Sequence, residues 1–255
     1  MLKLTVLIPC YNEEKGVGKV IENIPHKELN KLGYSVEVLV VDNNSTDKTS
    51  QVARDAGARV VFEQKQGKAY ALKAGFAAAK GDVIITIDGD NTYPANEIVK
   101  IMAHFYGSDL IIGSRFDSLL NLTKITKPKG LAFHRSMANK IGAVIASILL
   151  IEKITDVTTG LRAFKKELLI GIPEIKAKGL DFEAEFTSII IARGFIYREV
   201  KITTNSREGQ SSLNFVIDSF RFLFAIIRGM GFVRKKLDMK HVSVRNWIPY
   251  ENSDY

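Results

Sequence analysis

Two carboxylates separated by one glycine, Asp88-Gly89-Asp90, are the residues of this chain whose types and spacing best suit chemistry. They follow an apolar, β-branched run, Val83 to Ile87, which is typical of a buried strand in a parallel sheet. Ligands of such sheets bind beyond the carboxyl ends of the strands, so the two carboxylates should lie at the edge of a crevice. Carboxylates this close repel each other unless a cation lies between them, and Mg²⁺ is commonly held by one or two carboxylates and substrate phosphates. The motif indicates a metal–diphosphate site, although a solvated turn has the same composition.

Further acidic residues stand at comparable points of the chain. A predicted strand from Val36 to Val41 ends in Asp42, which therefore occupies a second crevice position, whereas the polar residues after it can cap the next helix. The first strand, from Leu4 to Ile8, should be broken by Pro9. Glu13 lies in the loop after it, where a ligand contact and a favourable interaction with a helix dipole both remain open.

The first half of the chain alternates between strand and helix patterns. Such alternation favours a mainly parallel sheet covered by helices on both faces. We predict strands over residues 4–8, 36–41, 59–62, 83–87 and 110–112, with helices up to about residue 24, over 48–56 and 69–79, and from about 94 to 105.

The second half differs in character. After a polar loop over residues 117–130, a helix is predicted over 131–151, whose last eleven residues carry only one polar side chain, Ser147. A membrane span needs about twenty apolar residues, so a buried or interfacial helix is expected. A short element over 165–170, a helix that opens near Phe182 and ends near Arg193, and a strand over 197–203 follow. The glycine- and serine-containing stretch 205–213 is expected to act as a flap.

The C-terminal segment combines an apolar helix with basic residues. The helix is predicted from Phe215 to Ile227, and Arg234-Lys235-Lys236 comes after it. Segments of this kind lie on anionic bilayers, where each lysine or arginine contributes on the order of 1 kcal/mol. The alternative is a C-terminal helix docked on the sheet, since large apolar faces are ordinary in protein cores. Residues 214–255 are therefore predicted to be an amphipathic helix and basic tail, a candidate for contact with a membrane surface.

Composition and charge narrow the class of protein. With 46% hydrophobic and 25% charged residues among 255, the chain is an ordinary globular protein. Its single cysteine, Cys10, fits a reducing compartment, and its start leads into a strand without the pattern of a secretory signal, so a cytoplasmic location is expected. The net charge of +8 favours polyanionic partners such as nucleotides or an anionic membrane. No nucleic-acid-binding motif is recognisable, so nucleic acid is not expected as a partner.

Several motifs occur in one order along the chain. They span residues 6–14, 40–49, 88–90, 113–115 and 156–162. Together they resemble family 2 glycosyltransferases of the GT-A fold over roughly residues 3–213. Within that family, Phe182 to Phe186 and Arg207 to Leu213 are similar to the polyprenyl-phosphate branch, typified by dolichyl-phosphate mannose synthases.

The resemblance implies a fold and a division of the chain. The fold would be α/β of the GT-A type, a mainly parallel Rossmann-like sheet flanked by helices, with C-terminal interfacial helices. The glycosyltransferase domain would span residues 1–213, with a nucleotide-binding half at 1–117 and an acceptor half at 118–213.

The resemblance also implies roles for individual residues. The nucleotide-sugar donor would contact Pro9, Tyr11, Glu13, Asp42, Asn44, Gly67, Lys68, Asp88, Gly89 and Arg115. Asp88 and Asp90 would hold Mg²⁺ or Mn²⁺ against the donor diphosphate. The acceptor phosphate would contact Lys127, Lys129, Arg135, Arg207 and Ser211. Catalysis would depend on Asp90, Asp156 and Arg207.

The chemistry implied is transfer with inversion at the anomeric carbon. A hydroxyl acceptor needs a general base, whereas a lipid monophosphate is already an anion at pH 7 and needs mainly positioning and electrostatics. Asp156 is the candidate base or stabiliser of charge on the sugar ring, and the alternative is that it caps its own turn before Thr158. Glu183 and Glu185 either order the loop of Arg207 or merely begin a helix.

Two positions depart from the branch. Thr92 stands where such mannose synthases often have glutamine, and Gly130 stands where better known members have a basic residue. His134 or a neighbouring lysine or arginine could replace the latter.

We expect a metal-dependent hexosyltransferase that uses a GDP- or UDP-linked sugar (mannose, glucose or N-acetylhexosamine) and a polyprenyl or dolichyl phosphate acceptor. It would be peripheral on the cytosolic face of a membrane. The alternatives are a family 2 enzyme with a saccharide or glycolipid hydroxyl acceptor, and a non-catalytic subunit that binds nucleotide or recruits a partner to membranes. The non-catalytic subunit is disfavoured, because a retired site would not need all of Asp88, Asp90, Asp156 and Arg207.

Overall fold

The computed structural model describes residues 1–116, 133–171, 174–179, 181–205 and 215–234. In the helices, the side chains of residues 133–138, 171, 215–220 and 232–234 are outside that description. The elements in chain order are β1 (Leu2–Cys10), α1 (Val17–Glu22), α2 (His26–Lys31), β2 (Tyr34–Asp42), α3 (Thr49–Asp55), β3 (Arg59–Phe62), α4 (Lys68–Ala78), β4 (Val83–Thr86), α5 (Glu97–Ala103), β5 (Leu110–Ser114), α6 (Phe133–Leu150), β6 (Arg162–Lys165), α7 (Leu168–Gly171), α8 (Phe182–Ala192), β7 (Tyr197–Lys201) and α9 (Phe215–Arg234).

The strands form one sheet in the order β3-β2-β1-β4-β6-β5-β7. All neighbouring pairs are parallel except those of β6, which runs antiparallel to both β4 and β5. The predicted α/β fold with a mainly parallel sheet is confirmed. The chain moves outward from β1 to β3 and then returns to β4 on the other side of β1, so a crevice opens at the carboxyl ends of β1 and β4.

Helices cover both faces of the sheet, as the alternation of apolar side chains along β1 requires. Val6 and Ile8 belong to the buried cluster that includes the apolar residues of α1 and α5. Leu7 points to the opposite face and belongs to the cluster that includes residues of α4 and α8. Both faces are therefore buried, which explains why the strands are continuous apolar runs.

Strand β1 is longer than predicted, because Pro9 does not break it. Pro9 pairs with Val41 of β2, and the strand continues to Cys10. The Leu7 carbonyl accepts the Ile87 amide from the β4 side, and Pro9, two residues on, faces the same side beyond the end of the β1–β4 pairing. The missing N–H of proline therefore costs no ladder hydrogen bond there.

Two elements, strand β6 and helix α2, were absent from the predictions. A short element was expected over residues 165–170, but this range contains only the last residue of β6 and part of α7. Strand β6 itself begins at Arg162. Helix α2, His26–Lys31, fills a stretch that was left without an assignment, and it buries Leu29. β6 and α2 lack the apolar runs that marked β3 and β4, so no pattern in the sequence identified them.

The C-terminal helix α9 packs on α8 and α6. Ala225 and Ile226 of α9 are buried together with Ala146 of α6 and Ala184 of α8. Helix α9 is thus docked on the domain, but on neighbouring helices and not on the sheet that the alternative named. In the described part of the chain, no helix is long and apolar enough to cross a membrane.

Candidate functional site

Acidic side chains converge where β1, β2 and β4 end. Asp42 lies opposite Cys10 in the β1–β2 register, and Asp88 follows β4 by two residues. Burial raises the pKa of the Cys10 thiol well above its ordinary value, and the nearby charges of Glu13, Asp42, Asp88 and Asp90 raise it further. The structure thus brings together four carboxylates that the sequence singled out.

The Asp88–Asp90 loop is held by close backbone packing. A Cβ added at Gly89 would lie 2.6 Å from Cys10 Sγ, and one added at Gly16 would lie 2.5 Å from the Gly89 carbonyl oxygen. A Cβ at Gly160 would lie 2.5 and 2.6 Å from the two carboxylate oxygens of Asp88. Glycine is the residue that permits each of these approaches, so the loop has one well-defined position.

Lys68, the first residue of α4, joins two carboxylates. Its Nζ lies 2.8 Å from Asp88 Oδ1 and 2.6 Å from Glu183 Oε1. Burial disfavours the ammonium, but Asp88 and Glu183 outweigh it and raise the pKa of Lys68 above its ordinary value. The lysine is therefore a permanent positive charge beside the loop.

The residues at this loop fit a hard divalent ion. Asp88 and Asp90 supply carboxylate oxygens, the donors that Mg²⁺ and Mn²⁺ prefer. Asp90 Oδ1 accepts the Thr92 amide at 3.0 Å, which orients that side chain. Among the described residues, no group of three or more histidine, cysteine, aspartate or glutamate side chains is arranged to hold a metal. The remaining ligands would have to be phosphate and water oxygens, as is usual for Mg²⁺.

Asp42 and the loop after it form another side of the crevice, at the end of β2. Asp42 is almost fully buried, and its carboxylate accepts the Ser45 amide at 2.9 Å and the Ser50 hydroxyl. Asn44 has φ +64°, a left-handed conformation that asparagine tolerates. Tyr11, in the facing loop, is 46% exposed. Asp42 thus holds its own loop, and the acceptor sites left on its carboxylate can face a ligand.

Asn43 is a positioning residue that sequence reasoning missed. Its amide oxygen accepts the Gly67 N–H at 2.7 Å, and its amide nitrogen donates to the carbonyls of Glu63 and Lys65 at 3.1 and 2.7 Å. These bonds fix the turn that begins α4 and so the location of Lys68. The signal available in the sequence was its place directly after a strand.

Arg115 and Asp156 form a buried pair. Arg115 Nε and Nη2 donate to the two Asp156 oxygens at 2.6 and 2.8 Å. The Arg115 amide, Asn139 Nδ2 and the Thr158 amide also donate to this carboxylate, at 3.2, 3.2 and 3.1 Å. Burial opposes the charge of Asp156, but Arg115 and these hydrogen bonds lower its pKa below its ordinary value.

This geometry bears on the expected role of Asp156. A carboxylate has about four lone-pair sites, and five donors already approach this one. A group so occupied and so acidic is a poor proton acceptor. The bond from the Thr158 amide is the turn-capping contact that was weighed as the alternative. The geometry favours that alternative and an electrostatic role over a general base.

Two further residues missed by sequence reasoning support the loop of Asp156. Glu199, on β7, accepts the Thr155 amide at 2.9 and 3.0 Å and the Asp156 amide at 3.3 Å. Burial raises the pKa of Glu199. Tyr93 is buried, and its hydroxyl accepts the Gly160 amide at 3.2 Å. No sequence pattern marks these contacts, because they join residues far apart in the chain.

The two glutamates of α8 have different partners. Glu183 faces Lys68, whereas Glu185 accepts the amides of Lys176 and Ala177 at 3.1 and 2.8 Å. Arg228 of α9 lies 2.6 Å from Glu185 Oε2. Glu185 therefore ties the C-terminal helix to the domain, a role not considered from the sequence.

Several predicted residues lie outside the described part of the chain. They are Lys127, Lys129, Arg207 and Ser211. Arg135 lies in α6, but its side chain is outside the description. The predicted acceptor-phosphate contacts therefore stay predictions. Pro9 and Gly67 lie beside Lys68, Pro9 as part of the wall of a small pocket and Gly67 as the residue before α4.

Comparisons with known proteins identify the family of this chain. The family model described as glycosyl transferase family 2 matches residues 5–172. The chain is 32% identical to the dolichyl-phosphate hexose transferase of Haloferax volcanii over 213 residues, which are 83% of this chain and 86% of that protein. It is 31% identical to the dolichol-phosphate mannosyltransferase of Pyrococcus furiosus over 180 residues, which are 67% of this chain and 48% of that protein.

Solved structures show the same fold. Glucosyl-3-phosphoglycerate synthase of Mycobacterium tuberculosis matches with a TM-score of 0.67 at 22% identity, over 90% of this chain and 81% of that one. Another crystal structure of that enzyme contains Mn²⁺, UDP-glucose and phosphoglyceric acid, and it matches with a TM-score of 0.68 at 20% identity, over 90% and 80% of the two chains. At this identity the likeness establishes the GT-A fold.

Proposed function

The chain belongs to glycosyl transferase family 2, and we propose that it transfers a hexose from a nucleotide diphosphate donor to a polyprenyl phosphate at the cytosolic surface of a membrane. The observation that carries the proposal is the Asp88–Asp90 loop at the β1–β4 crevice, with Lys68 on one side. The acceptor is suggested by the relative from Haloferax volcanii, a dolichyl-phosphate hexose transferase by name, which aligns with most of this chain.

The donor would lie across the ends of β1, β2 and β4. Asp42 and Tyr11 are near enough to the crevice to contact the nucleoside, and Asp88 and Asp90 would hold Mg²⁺ or Mn²⁺ at the diphosphate. When bound, the ion supplies Lewis-acid stabilisation of the departing nucleotide. The structure of the Mycobacterium enzyme with Mn²⁺ and UDP-glucose supports a metal-bound nucleotide sugar in this fold.

The state of Asp156 supports a phosphate acceptor. An attacking phosphate oxygen forms a bond to the anomeric carbon while the bond from that carbon to the donor diphosphate breaks, and no proton has to be removed. A hydroxyl acceptor has a proton to lose, yet the candidate base Asp156 already accepts two bonds from the Arg115 guanidinium. Positioning and electrostatic stabilisation would then provide the catalysis.

The helices that pack together beside the site support a membrane location. Ile148 of α6 is 71% exposed and Phe224 of α9 is 67% exposed. The basic cluster of residues 234–236 follows the apolar part of α9. Exposed apolar side chains, in a helix that basic residues follow in the sequence, favour an anionic bilayer surface.

The test is an incubation of the protein with Mn²⁺, short-chain polyprenyl phosphate and a panel of radiolabelled UDP- and GDP-sugars. We expect one labelled sugar to enter the organic phase. Asp90→Asn should abolish that transfer, because it removes a metal-binding charge while keeping the shape. Asp55→Asn, an exposed carboxylate on α3, is the matched control and should transfer normally.

Two outcomes would contradict the proposal. Label that reaches a saccharide or glycolipid hydroxyl but never the lipid phosphate would favour the alternative acceptor class. Full transfer by Asp90→Asn, or in excess chelator, would remove the metal-dependent mechanism.

A further inference from the structure

The ion pairs of Lys68 place a protein cation on a carboxylate that would serve the divalent ion. Lys68 Nζ lies 2.8 Å from Asp88 Oδ1, so a metal bound to Asp88 and the ammonium would compete for the same carboxylate. Lys68 also lies 2.6 Å from Glu183 Oε1, a second carboxylate outside the Asp88–Asp90 motif.

Glu183 is buried and depends on nearby positive charge. Its side chain is 4% exposed, and the Lys68 ammonium, 2.6 Å from Oε1, is the cation with which the carboxylate pairs. Arg162 donates to the Glu183 backbone carbonyl at 2.8 Å and adds a positive charge near it. A buried carboxylate without a counterion is costly, so Lys68 compensates Glu183 as well as Asp88.

The surroundings strengthen these interactions. Lys68, Asp88 and Glu183 border a small pocket whose other walls include Leu72 of α4 and Phe182 of α8. Apolar walls exclude water, so charges there interact more strongly than they would at an open surface. The three charged groups therefore interact strongly, so a cation added at Asp88 changes the electrostatic energy of Lys68 and, through it, that of Glu183.

We propose that Lys68 is an internal counterion of Asp88, and that its ammonium pairs with Glu183 alone when a divalent ion binds Asp88. Glu183 is then a positioning residue: it touches neither metal nor substrate, but it keeps the displaced ammonium paired. The inference rests on the proposed function, since it assumes that Asp88 is a metal ligand.

The proposal predicts opposite effects for two variants. In Glu183→Gln the ammonium has Asp88 as its remaining carboxylate, so metal binding would leave a buried ammonium with no partner, and Mn²⁺ affinity should fall by about tenfold or more. In the double variant Lys68→Met, Glu183→Gln, both charges are gone and nothing competes for Asp88. Its Mn²⁺ affinity should return to the wild-type level or exceed it.

The experiment measures Mn²⁺ binding to the full chain without nucleotide, by the loss of the free-ion electron paramagnetic resonance signal. Lys165→Met is the matched control, because Lys165 forms a 2.7 Å pair with Asp109 and lies opposite Val83, at the end of β4 away from Asp88. Its Mn²⁺ affinity should equal that of the wild type. Circular dichroism checks that each variant is folded.

Equal Mn²⁺ affinity in the wild type, Glu183→Gln and the double variant would overturn the inference, and so would the absence of binding in both the wild type and the double variant. Binding that appears in the double variant alone would support it, since the competing lysine is then removed. The label-transfer assay decides the proposed function separately, so an active enzyme with unchanged Mn²⁺ affinities would contradict this inference only.

Discussion

At the scale of single residues, Gly160 is a position where one added methyl group would collide with the Asp88 carboxylate. Gly160→Ala would place a Cβ 2.5 Å from Asp88 Oδ1, so the carboxylate must turn away from its position beside Lys68. We expect Mn²⁺ affinity and sugar transfer to fall by roughly 10- to 100-fold, as when the support of a metal ligand is lost. Titration with Mn²⁺ and the label-transfer assay measure the two effects.

The matched control for that change is Gly142→Ala in α6. A Cβ at Gly142 would meet Val157 Cγ2 at 3.7 Å, an ordinary van der Waals contact. This variant should keep wild-type metal affinity and transfer. If Gly160→Ala also kept both, the packing of Gly160 against Asp88 would have no functional consequence.

A second prediction concerns the pair of Arg115 and Asp156. Arg115→Met would leave the fully buried Asp156 carboxylate without its counterion, and loss of one partner of a buried pair costs about 3–5 kcal/mol. Urea denaturation should show this loss in the free energy of unfolding. Transfer should fall as well, because the Asp156 loop borders the site.

The double variant Arg115→Met, Asp156→Asn provides the control for that prediction. It carries no bare charge, so it should be more stable than Arg115→Met alone, and the two changes should be strongly non-additive. A loss below about 1 kcal/mol in Arg115→Met would mean that water or other groups compensate Asp156.

Some site residues could be predicted from the sequence, because a short stretch around each of them carries the signal. Asp42 and Asp88 follow apolar runs, and parallel strands bring such positions to one edge of a sheet. Glu183 and Gly160 contact the same site, but their approach to Asp88 depends on how α8 and β6 pack, which no local pattern encodes. Asp156 was recognised by its motif, whereas its five donors became evident only from the structure.

At the scale of elements, the contact between α9 and α8 depends on a glycine. A Cβ at Gly229 would lie 2.7 Å from Ser188 Cβ and 3.0 Å from the Glu185 carbonyl oxygen. Gly229→Ala should therefore destabilise the protein by about 1–3 kcal/mol through overpacking, although alanine favours helix. Thermal denaturation, followed by circular dichroism, measures the change.

Gly231 provides a control two residues away in the same helix. A Cβ there would meet nothing within 4 Å, so Gly231→Ala should be neutral or stabilise the protein by up to about 1 kcal/mol. If Gly229→Ala were as stable as Gly231→Ala, then α9 would not be held against α8 as the structure describes.

The elements that sequence analysis recognised are those with long apolar runs or clear helical periodicity. β4 and β5 were found nearly to the residue, and α9 was found but ends later than expected, at Arg234. β6 was not recognised, because its four residues pair with β4 and β5 in the antiparallel sense, and this non-local pairing leaves no periodic signal. Helix α2 was missed for a different reason, since its six residues bury one apolar side chain, Leu29, which is too few to show a helical period.

At the scale of the whole molecule, the two predicted halves share one sheet. β6 and β7 come from the second half of the chain, yet β6 lies between β4 and β5 of the first half. The site is shared in the same way, since Lys68 pairs with Asp88 from its own half and with Glu183 from the other. The first half alone would therefore lack a central strand and one wall of the site, so we expect the halves to fold together.

The proposed membrane contact is also a property of the whole molecule, and it would depend on the exposed apolar side chains of α6 and α9. In the double variant Ile148→Asp, Phe224→Asp, binding to anionic phospholipid vesicles should fall by at least about tenfold, since each large apolar side chain contributes roughly 1.5–3 kcal/mol when buried. Tyr106→Asp, 95% exposed in the turn after α5, is the control and should sediment with vesicles like the wild type. Because both aspartates lie on exposed positions, folding and transfer to a short, water-soluble polyprenyl phosphate should persist. Undiminished sedimentation of the double variant would rule out these two helices as the membrane contact.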